Sequence, residues 1–388
     1  MKLIFQVLFL LLFWTLSNGQ NIDTVTIFSK HFNSQREIYI YKPGNYDNNI
    51  KQHYEVIYVF DAQMYEYARL VYFIQPFVSK SLFSTIIIGI SSEQNRNKDF
   101  LPSKDFPPES FSEKRGHFGD ADKLLQFIST EVDSVISKRY RALPKRVAIG
   151  HSLGATFVSY CFLQKPDFFD AYIAISPNFA YDKFQFVRRF KNLDINRIKQ
   201  EKFFYMSNSN EETDFNPSWK TARDSVIQIL SGNHLKNKIK FINQDFSKTE
   251  DHTTIYPLGV RNGLKLFYDF YHNADNLMAF YGEMYKQNKF DLNAVNTHYM
   301  AYNFLWSHKP KEALKMIQWA NKLFPDDLNI IDGMGEIYQE NGDNLNAIRY
   351  YKLFERKLEE EKSQLTTDKY NELKSNHEER MKALMKKK

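Results

Sequence analysis

A serine between two glycines is the feature of this sequence that most directly suggests chemistry. The pattern Gly-x-Ser-x-Gly spans residues 150–154, reads Gly-His-Ser-Leu-Gly, and follows the apolar run 147–149. A serine hydroxyl is a poor nucleophile unless a tight turn holds it exposed beside a base, and the two glycines relieve steric crowding in such a turn. The pattern therefore predicts acyl transfer through Ser152, provided that the chain also supplies a base, an acid and an oxyanion hole.

The base is expected after the serine, because hydrolases with this motif place the nucleophile, the acid and the histidine in that order. His252 lies in the polar segment 250–254, about ten residues after the apolar run 238–242. A loop that follows a strand is where a general base of this kind should lie, so His252 is the predicted base. His234, in a predicted turn after Gly232, is the weaker candidate, and a loop histidine without any role is the alternative interpretation of His252.

Three carboxylates that could serve as the acid follow the predicted strand 203–206. Glu211 is the first choice, Glu212 the second and Asp214 the third. A carboxylate at the carboxyl end of a sheet strand can reach the imidazole, fix its tautomer and stabilise the imidazolium. At least two of the three must be solvated loop charges, and a Ser–His dyad without an acid remains an alternative.

The oxyanion hole requires two backbone N–H groups. The first is predicted to be that of Leu153, which comes directly after the nucleophile at the N-terminus of its helix. The second should come from the loop 61–63, after the strand that ends at Phe60, and Ala62 is the favoured residue there. A residue that acts through its backbone N–H need not have a particular side chain. An ordinary loop residue without a role is therefore an equally good interpretation of Ala62.

Alternating strand-like and helix-like segments surround these residues from about position 22 to 271, a pattern typical of an α/β sheet. Near-continuous apolar runs indicate strands that are covered on both faces. Helical spacing of apolar residues predicts a helix over 120–136. The predicted strands are 37–41, 55–60, 85–90, 171–175, 203–206 and 238–242, together with the apolar run before the serine.

In combination, these segments resemble the esterase family of α/β-hydrolases that includes esterase D, enterochelin-type siderophore esterases and feruloyl esterases. The similarity covers roughly residues 22–271, and it departs at Ala62 and Ala155, where the family often has glycine. The resemblance implies a mostly parallel sheet flanked by helices and a serine esterase without a metal or organic cofactor. The segments that carry it are 36–46, 54–63, Arg96 with Asp99 and Pro102, 116–127, 140–152, 166–170, 175–177 and His252.

A helical repeat replaces the strand signals after about residue 271. Ala313, Ala320 and Pro325 have the spacing of a tetratricopeptide unit, and Ala347 lies one 34-residue period beyond Ala313. Two units are predicted, 294–327 and 328–361, followed by a charged capping helix from Thr366; generic helical hairpins are the alternative. The predicted organisation is a signal peptide at 1–19, an α/β-hydrolase domain at 20–272 and tetratricopeptide-like helices at 273–388.

The N-terminal residues have the pattern of an export signal. Lys2 precedes the apolar stretch 7–14, and small residues at 17–19 offer a cleavage site. The apolar stretch is shorter than the ~18 residues that a transmembrane helix requires, so no transmembrane anchor is expected. We therefore predict a periplasmic or secreted protein. The single cysteine, Cys161, excludes an internal disulfide framework and is interpreted as a small buried residue.

Two classes of function fit this sequence. The first is an exported serine esterase acting on a small-molecule or polysaccharide-linked ester, with a siderophore ester and a feruloyl or acetyl ester fitting equally well. The second is a binding protein, in which an idle hydrolase domain and the helical repeats form a scaffold for a protein partner. The formal charge of +6 is not concentrated in a basic stripe with aromatics, so nucleic acid is not expected as a partner.

Overall fold

The computed structural model describes residues 22–386, except for 45, 49, 81, 82, 93, 94, 108–118 and 215. The predicted signal peptide at 1–19 lies outside the described residues. The chain divides into two compact units between Tyr268 and Asp269. Within the described part of the chain, no helix combines the length and the apolar character needed to cross a membrane.

The described residues of the first unit form an eight-stranded, mostly parallel sheet. The strands are β1 (Ile22–Ser29), β2 (Ser34–Tyr41), β3 (Tyr54–Phe60), β4 (Thr85–Ile90), β5 (Ala142–His151), β6 (Ala171–Ile175), β7 (Lys202–Asn208) and β8 (Ile239–Asp245). Their order is β1-β2-β4-β3-β5-β6-β7-β8. β2 is antiparallel to both of its neighbours, and all other pairs are parallel.

Helices cover both faces of this sheet, as expected for buried parallel strands. Every residue of β3, β4, β6 and β7 is buried, whereas the edge strand β1 alternates between more and less exposed residues. The helices are α1 (Tyr65–Val78), α2 (Arg96–Phe100), α3 (Ala121–Gln126), α4 (Asp133–Arg139), α5 (Leu153–Gln164), α6 (Tyr181–Lys191), α7 (Glu211–Asp214), α8 (Ser218–Leu230) and α9 (Ile255–Tyr271). A π-helical segment, Phe127–Val132, joins α3 to α4, so the predicted helix over 120–136 is found with an irregular centre.

The predicted fold class is therefore confirmed for the first unit. Much of its core is aromatic, and edge-to-face contacts such as those of Phe60 with Phe157 and of Phe162 with Phe204 connect helix α5 to the sheet. Cys161 is buried in this core, as the sequence predicts. From the adjacent strands β3 and β5, the chain adds β4 on one side of the sheet and β6 on the other. In α/β sheets, ligands bind in the crevice at the carboxyl ends of the strands where the order reverses in this way.

The second unit is helical. Its helices are α10 (Ala274–Lys286), α11 (Ala294–Trp306), α12 (Pro310–Leu323), α13 (Leu328–Glu340), α14 (Asn344–Glu360) and α15 (Thr367–Lys386). The predicted units 294–327 and 328–361 contain the helix pairs α11/α12 and α13/α14. The small residues Ala313, Ala320 and Ala347 are fully buried in these pairs. The helical region is confirmed, whereas the tetratricopeptide assignment stays a prediction.

Helix α9 packs unusually close to the sheet through Gly259. A Cβ atom at this position would lie 2.8 Å from both Cγ1 and Cγ2 of Ile175, the last residue of β6. Since α9 begins three residues after His252, this close approach also sets where the His252 loop can lie.

We expect Gly259→Ala to lower the free energy of unfolding by up to ~2 kcal/mol. Overpacking against Ile175 costs about 1–3 kcal/mol, which outweighs the ~1 kcal/mol that alanine gains over glycine within a helix. Urea denaturation followed by circular dichroism measures the change. The matched control is Gly282→Ala in α10, where the Cβ would stay 3.5 Å from Trp319 and stability should rise. A stabilised Gly259→Ala protein would contradict the packing described here.

Candidate active site

Ser152 occupies a sharp turn between strand β5 and helix α5. Its backbone lies at φ 57° and ψ −122°, outside the regions that L-residues normally adopt. The turn brings Gly150 so close to the next helical turn that a Cβ atom there would lie 2.3 Å from the carbonyl oxygen of Gly154. Only glycine fits at position 150, which is the geometric reason for the first glycine of the motif.

Backbone hydrogen bonds hold this turn from both sides. The Ser152 N–H donates to the carbonyl oxygen of Ile175 at the end of β6 (2.9 Å), and the Thr156 N–H donates to the Ser152 carbonyl oxygen (3.0 Å). The Ser152 side chain does not cap helix α5 and is partly exposed. The hydroxyl is thus presented at the carboxyl edge of the sheet instead of being used by its own helix.

His252 lies beside this turn, in the loop between β8 and α9. Its ring centroid is 4.6 Å from that of His151, the residue before the serine, and 5.6 Å from that of Trp219 on α8. Its Nδ1 atom lies 3.9 Å from Oε1 of Glu211, and its side chain is 16% exposed. The imidazole is therefore mostly buried, with one nitrogen directed at a carboxylate.

Glu211 is a buried carboxylate, 2% exposed, with several donors around it. Its Oε1 accepts hydrogen bonds from the N–H (2.9 Å) and the hydroxyl (2.8 Å) of Ser209, and its Oε2 accepts one from Nη1 of Arg223 (3.3 Å). Burial raises the pKa of Glu211, but the neighbouring His252 and Ser176 and the hydrogen bonds from Ser209 outweigh this effect and lower the pKa to about 2. The carboxylate is ionised at neutral pH.

The other sequence candidates have different outcomes. The side chains of Glu212 and Asp214 lie outside the described residues. His234 is exposed in the short turn Asn233–Leu235 that precedes β8, which places it at the amino edge of the sheet, opposite Ser152. The structure thus brings Ser152, His252 and Glu211 to one edge and leaves His234 at the other.

The Ser152 hydroxyl makes no hydrogen bond within the described ranges of the chain. Hydrogen bonds between nucleophile and base are often long in hydrolases and tighten only when the substrate is bound. The arrangement of His252 and Glu211 around the turn is compatible with such a closure.

The expectation for Ala62 in the oxyanion hole is corrected by its backbone contact. The Ala62 N–H donates to the carbonyl oxygen of Ile90 at the end of β4 (3.1 Å), so it is not available for an oxyanion. The N–H of Leu153 is at the first position of α5 and has no intrahelical acceptor. In the part of the chain that the structure describes, the N–H of Gln63, one residue after Ala62, donates no hydrogen bond.

An ion pair fixes the loop that contains Gln63. The buried Asp61, at φ 64°, receives two hydrogen bonds from Arg96, at 2.7 and 2.8 Å. Asp61 also accepts a hydrogen bond from Nε2 of the Gln63 side chain (3.0 Å). The side-chain oxygen of Gln63 in turn accepts a hydrogen bond from the Ser92 N–H (3.1 Å). This network holds the backbone at 61–63 close to Gly154, where a Cβ atom would come within 3.2 Å of Asp61.

A family model described as "Putative esterase" matches residues 29–250, more than half of the chain. The chain belongs to this esterase family. Among curated proteins, ferri-bacillibactin esterase BesA of Bacillus subtilis (strain 168) is 33% identical over 108 residues, which are 25% of this chain and 37% of BesA. The match therefore spans little more than a third of that relative's length.

Solved structures share the fold of the first unit. An IroE-like serine hydrolase from Shewanella oneidensis superposes with a TM-score of 0.61 at 18% identity, covering 78% of this chain and 100% of that one. The siderophore hydrolase EstA from Aspergillus nidulans has a TM-score of 0.56 at 17% identity, covering 65% of this chain and 95% of EstA. Identities of this size show a common fold, and the family resemblance predicted from the sequence is confirmed by the family model.

Three residues of the site were not found by sequence reasoning. Arg223 holds the carboxylate of Glu211 from helix α8, Gln63 replaces Ala62 as the free backbone donor, and Tyr67 on α1 donates a hydrogen bond to His151 (2.9 Å). Arg223 and Tyr67 are single polar positions in amphipathic helices, and no local pattern separates them from ordinary surface residues. Arg96, one of the residues that carry the family resemblance, is 30% exposed and pairs with Asp61.

The lowered pKa of Glu211 predicts a loss of stability in acid. Because the pKa falls from the ordinary value of 4.5 to about 2 on folding, the ionised carboxylate contributes stability above pH 4.5, and this contribution is lost as the pH falls towards 2. A shift of this size corresponds to roughly 3 kcal/mol. Glu211→Gln should therefore be less stable than the unmodified protein at pH 7, with the difference shrinking as the pH approaches 3.

Urea denaturation at several pH values between 7 and 3 measures this difference. Glu201→Gln, which removes an exposed carboxylate, is the matched control and should leave the pH profile of stability almost unchanged. A difference between Glu211→Gln and the unmodified protein that stays constant with pH would show that Glu211 has no depressed pKa.

Proposed function

We propose that this protein is an exported serine esterase that hydrolyses a carboxylic ester through an acyl-enzyme on Ser152. The observation that carries the proposal is the arrangement at the carboxyl edge of the sheet. There, Ser152 lies at a strained turn, and the imidazole of His252 lies near both the ring of His151, the residue before the serine, and the buried carboxylate of Glu211. Membership of the esterase family supports ester hydrolysis as the reaction.

In the proposed first step, Nε2 of His252 takes the proton from the Ser152 hydroxyl while the oxygen attacks the ester carbonyl carbon. Nε2 has this role because Nδ1 is the nitrogen that faces Glu211. The tetrahedral intermediate then collapses, and the imidazolium of His252 protonates the leaving alcohol. In the second step, His252 activates a water molecule that attacks the acyl-enzyme, which releases the acid and restores the serine.

The other groups stabilise the charges that form during these steps. Glu211, ionised at neutral pH, orients His252 and stabilises its imidazolium. The N–H groups of Leu153 and Gln63 are the proposed donors to the oxyanion, and the Asp61–Arg96 ion pair fixes the loop that carries Gln63. Preorganised donors of this kind avoid the reorganisation that water would require, which is why they contribute strongly to catalysis.

A siderophore ester is the proposed substrate class. It is supported by the similarity to BesA, named as a ferri-bacillibactin esterase, and by the shared fold with EstA, named as a siderophore hydrolase. Close to the proposed base, the ring of Trp219 offers an aromatic surface that an aromatic acyl group could contact. A feruloyl ester would contact the same aromatic surface, so Trp219 does not distinguish siderophore esters from feruloyl esters. An activity assay distinguishes them.

Export is part of the proposal because residues 1–19 have the pattern of a signal peptide. The helical second unit is proposed to consist of tetratricopeptide-like repeats that bind a protein partner, on the basis of the 34-residue spacing between Ala313 and Ala347.

Substitution of the proposed nucleophile and base is expected to abolish turnover. We expect Ser152→Ala and His252→Gln each to lower kcat on short p-nitrophenyl esters by at least ~10³-fold, because covalent catalysis requires both groups. His234→Gln, a histidine at the opposite edge of the sheet, is the matched control and should retain full activity. Undiminished turnover by Ser152→Ala would refute the assignment.

The substrate proposal predicts a ranking of kcat/KM. On a panel of siderophore, feruloyl, acetyl-sugar and thioester substrates, the siderophore ester should give the highest kcat/KM. Trp219→Ala should lower kcat/KM for the siderophore ester more than kcat/KM for p-nitrophenyl acetate, which has no aromatic acyl group. A preference for the acetyl sugar that does not depend on Trp219 would show that the substrate class is wrong.

A further inference from the structure

His151, the second residue of the Gly-His-Ser-Leu-Gly motif, is a buried histidine that the proposed reaction does not use. It is 4% exposed, and both of its ring nitrogens have partners. Nε2 lies 2.7 Å from the backbone carbonyl oxygen of His252, and Nδ1 lies 2.9 Å from the hydroxyl of Tyr67. The residue next to the nucleophile is thus connected directly to the backbone of the proposed base.

The chemistry of these partners fixes the proton positions on His151. A carbonyl oxygen can only accept, so Nε2 carries the proton and donates to His252. Nδ1 then accepts from the Tyr67 hydroxyl. Burial raises the pKa of Tyr67 to about 12, so that this hydroxyl keeps its proton, and burial together with the nearby His252 lowers the pKa of His151 to about 3. His151 is therefore neutral, with one defined tautomer.

Tyr67 is itself held by the helix that follows His252. The hydroxyl of Tyr256, near the start of α9, donates to the Tyr67 carbonyl oxygen (3.1 Å), and the two rings lie 4.2 Å apart. The contacts close a ring that runs from His151 to the His252 backbone, along the chain to Tyr256, across to Tyr67 and back to His151. Each member is connected to two others, which limits the movement of the His252 loop.

We propose that His151 is a positioning residue, which fixes the backbone of the His252 loop at a set distance from Ser152 through its Nε2–H···O=C hydrogen bond. The proposal rests on the proposed function, since it concerns how the base of that reaction is held. His151 does not touch the reacting atoms. Earlier residues of the loop are also bonded to β7 and the segment after it: the Phe246 N–H donates to the Asn208 carbonyl oxygen, and the Asn210 N–H donates to the Glu250 carbonyl oxygen.

Such a connection matters because catalysis depends steeply on the alignment of nucleophile and base. A misplacement of about 1 Å can cost ~10²-fold in rate. Loss of the connection at His151 should therefore reduce the rate of the chemical step, while substrate binding, which depends on other groups, changes little. The expected signature is a fall in kcat with KM nearly unchanged.

Substitution of His151 by glutamine or by asparagine tests its two hydrogen bonds one at a time. The Nε2 of glutamine can occupy the position of the histidine Nε2 and donate to the His252 carbonyl oxygen, whereas the amide of asparagine reaches only the position of Nδ1, near Tyr67. We expect His151→Gln to retain kcat on p-nitrophenyl esters within ~5-fold. His151→Asn and His151→Phe should lower kcat by ~10- to 100-fold, with KM changing by less than about 2-fold.

Thermal unfolding of each variant shows whether a lower rate reflects an unfolded protein. Rescue by glutamine but not by asparagine, among variants with similar melting temperatures, supports the positioning role. Equal kcat values for glutamine, asparagine and phenylalanine at position 151 would overturn it, whether all three are active or all three are inactive.

Ser152→Ala, measured in the same assay, distinguishes this proposal from the proposed function. Retained turnover by Ser152→Ala would mean that the serine esterase assignment fails. If Ser152→Ala is inactive while all His151 variants keep full activity, the esterase assignment stands and only the role of His151 is wrong.

Discussion

The backbone of Ser152 is the point on which the rest of the first unit depends. Its φ of 57° and ψ of −122° lie in a region that costs ~1–3 kcal/mol, and such a conformation persists only where the surroundings fix it. They do so here because β5 is a central, buried strand and α5 packs back onto the sheet through an aromatic core. The hydrogen bond from the Ser152 N–H to the Ile175 carbonyl oxygen ties the turn to the neighbouring strand. The packing of the whole sheet therefore stabilises the strained backbone of Ser152, whose side chain does not hydrogen-bond to its own helix.

This turn also determines where every other functional group must lie. Parallel strands end at a common edge, so the loops after β3, β7 and β8 converge on the place where the serine is exposed. Glu211 comes from the loop after β7, and its buried carboxylate has enough donors to stay charged. Arg223 and Ser209 compensate the desolvation of that charge, and Oε1, the oxygen that accepts from Ser209, also lies nearest to Nδ1 of His252. Burial then increases the influence of Glu211 on the imidazole, because the surrounding dielectric is low.

The sequence predicts those parts of the site whose signals are local. The turn at 150–154 follows from its glycines, and the strands follow from apolar runs such as 85–90, because residues buried on both faces must be apolar. Ala62 is not available as an oxyanion donor because its N–H donates to Ile90, which lies on a strand that pairs with β3 only in the folded sheet. Arg223 and Tyr67 reach the site from helices whose rotation about their axes is set by packing, and packing is not visible in the order of residues. The role of Glu211 and His252 as acid and base stays a prediction, although the structure places them side by side.

The residue at position 151 must be an uncharged hydrogen-bond donor, and not merely a donor. Lysine or arginine could also donate to the His252 carbonyl oxygen, but either would put a permanent positive charge beside the imidazole. That charge would disfavour the imidazolium that the proposed mechanism forms at His252, because like charges raise the free energy of the protonated state. A neutral histidine avoids this cost, and its burial, which lowers its pKa, keeps it neutral. Tyr67 contributes to the same end, because its hydroxyl donates to Nδ1 and thereby favours the tautomer that has its proton on Nε2. A buried, uncharged donor is therefore the kind of group that can hold the base in place without opposing the charge that the base must acquire.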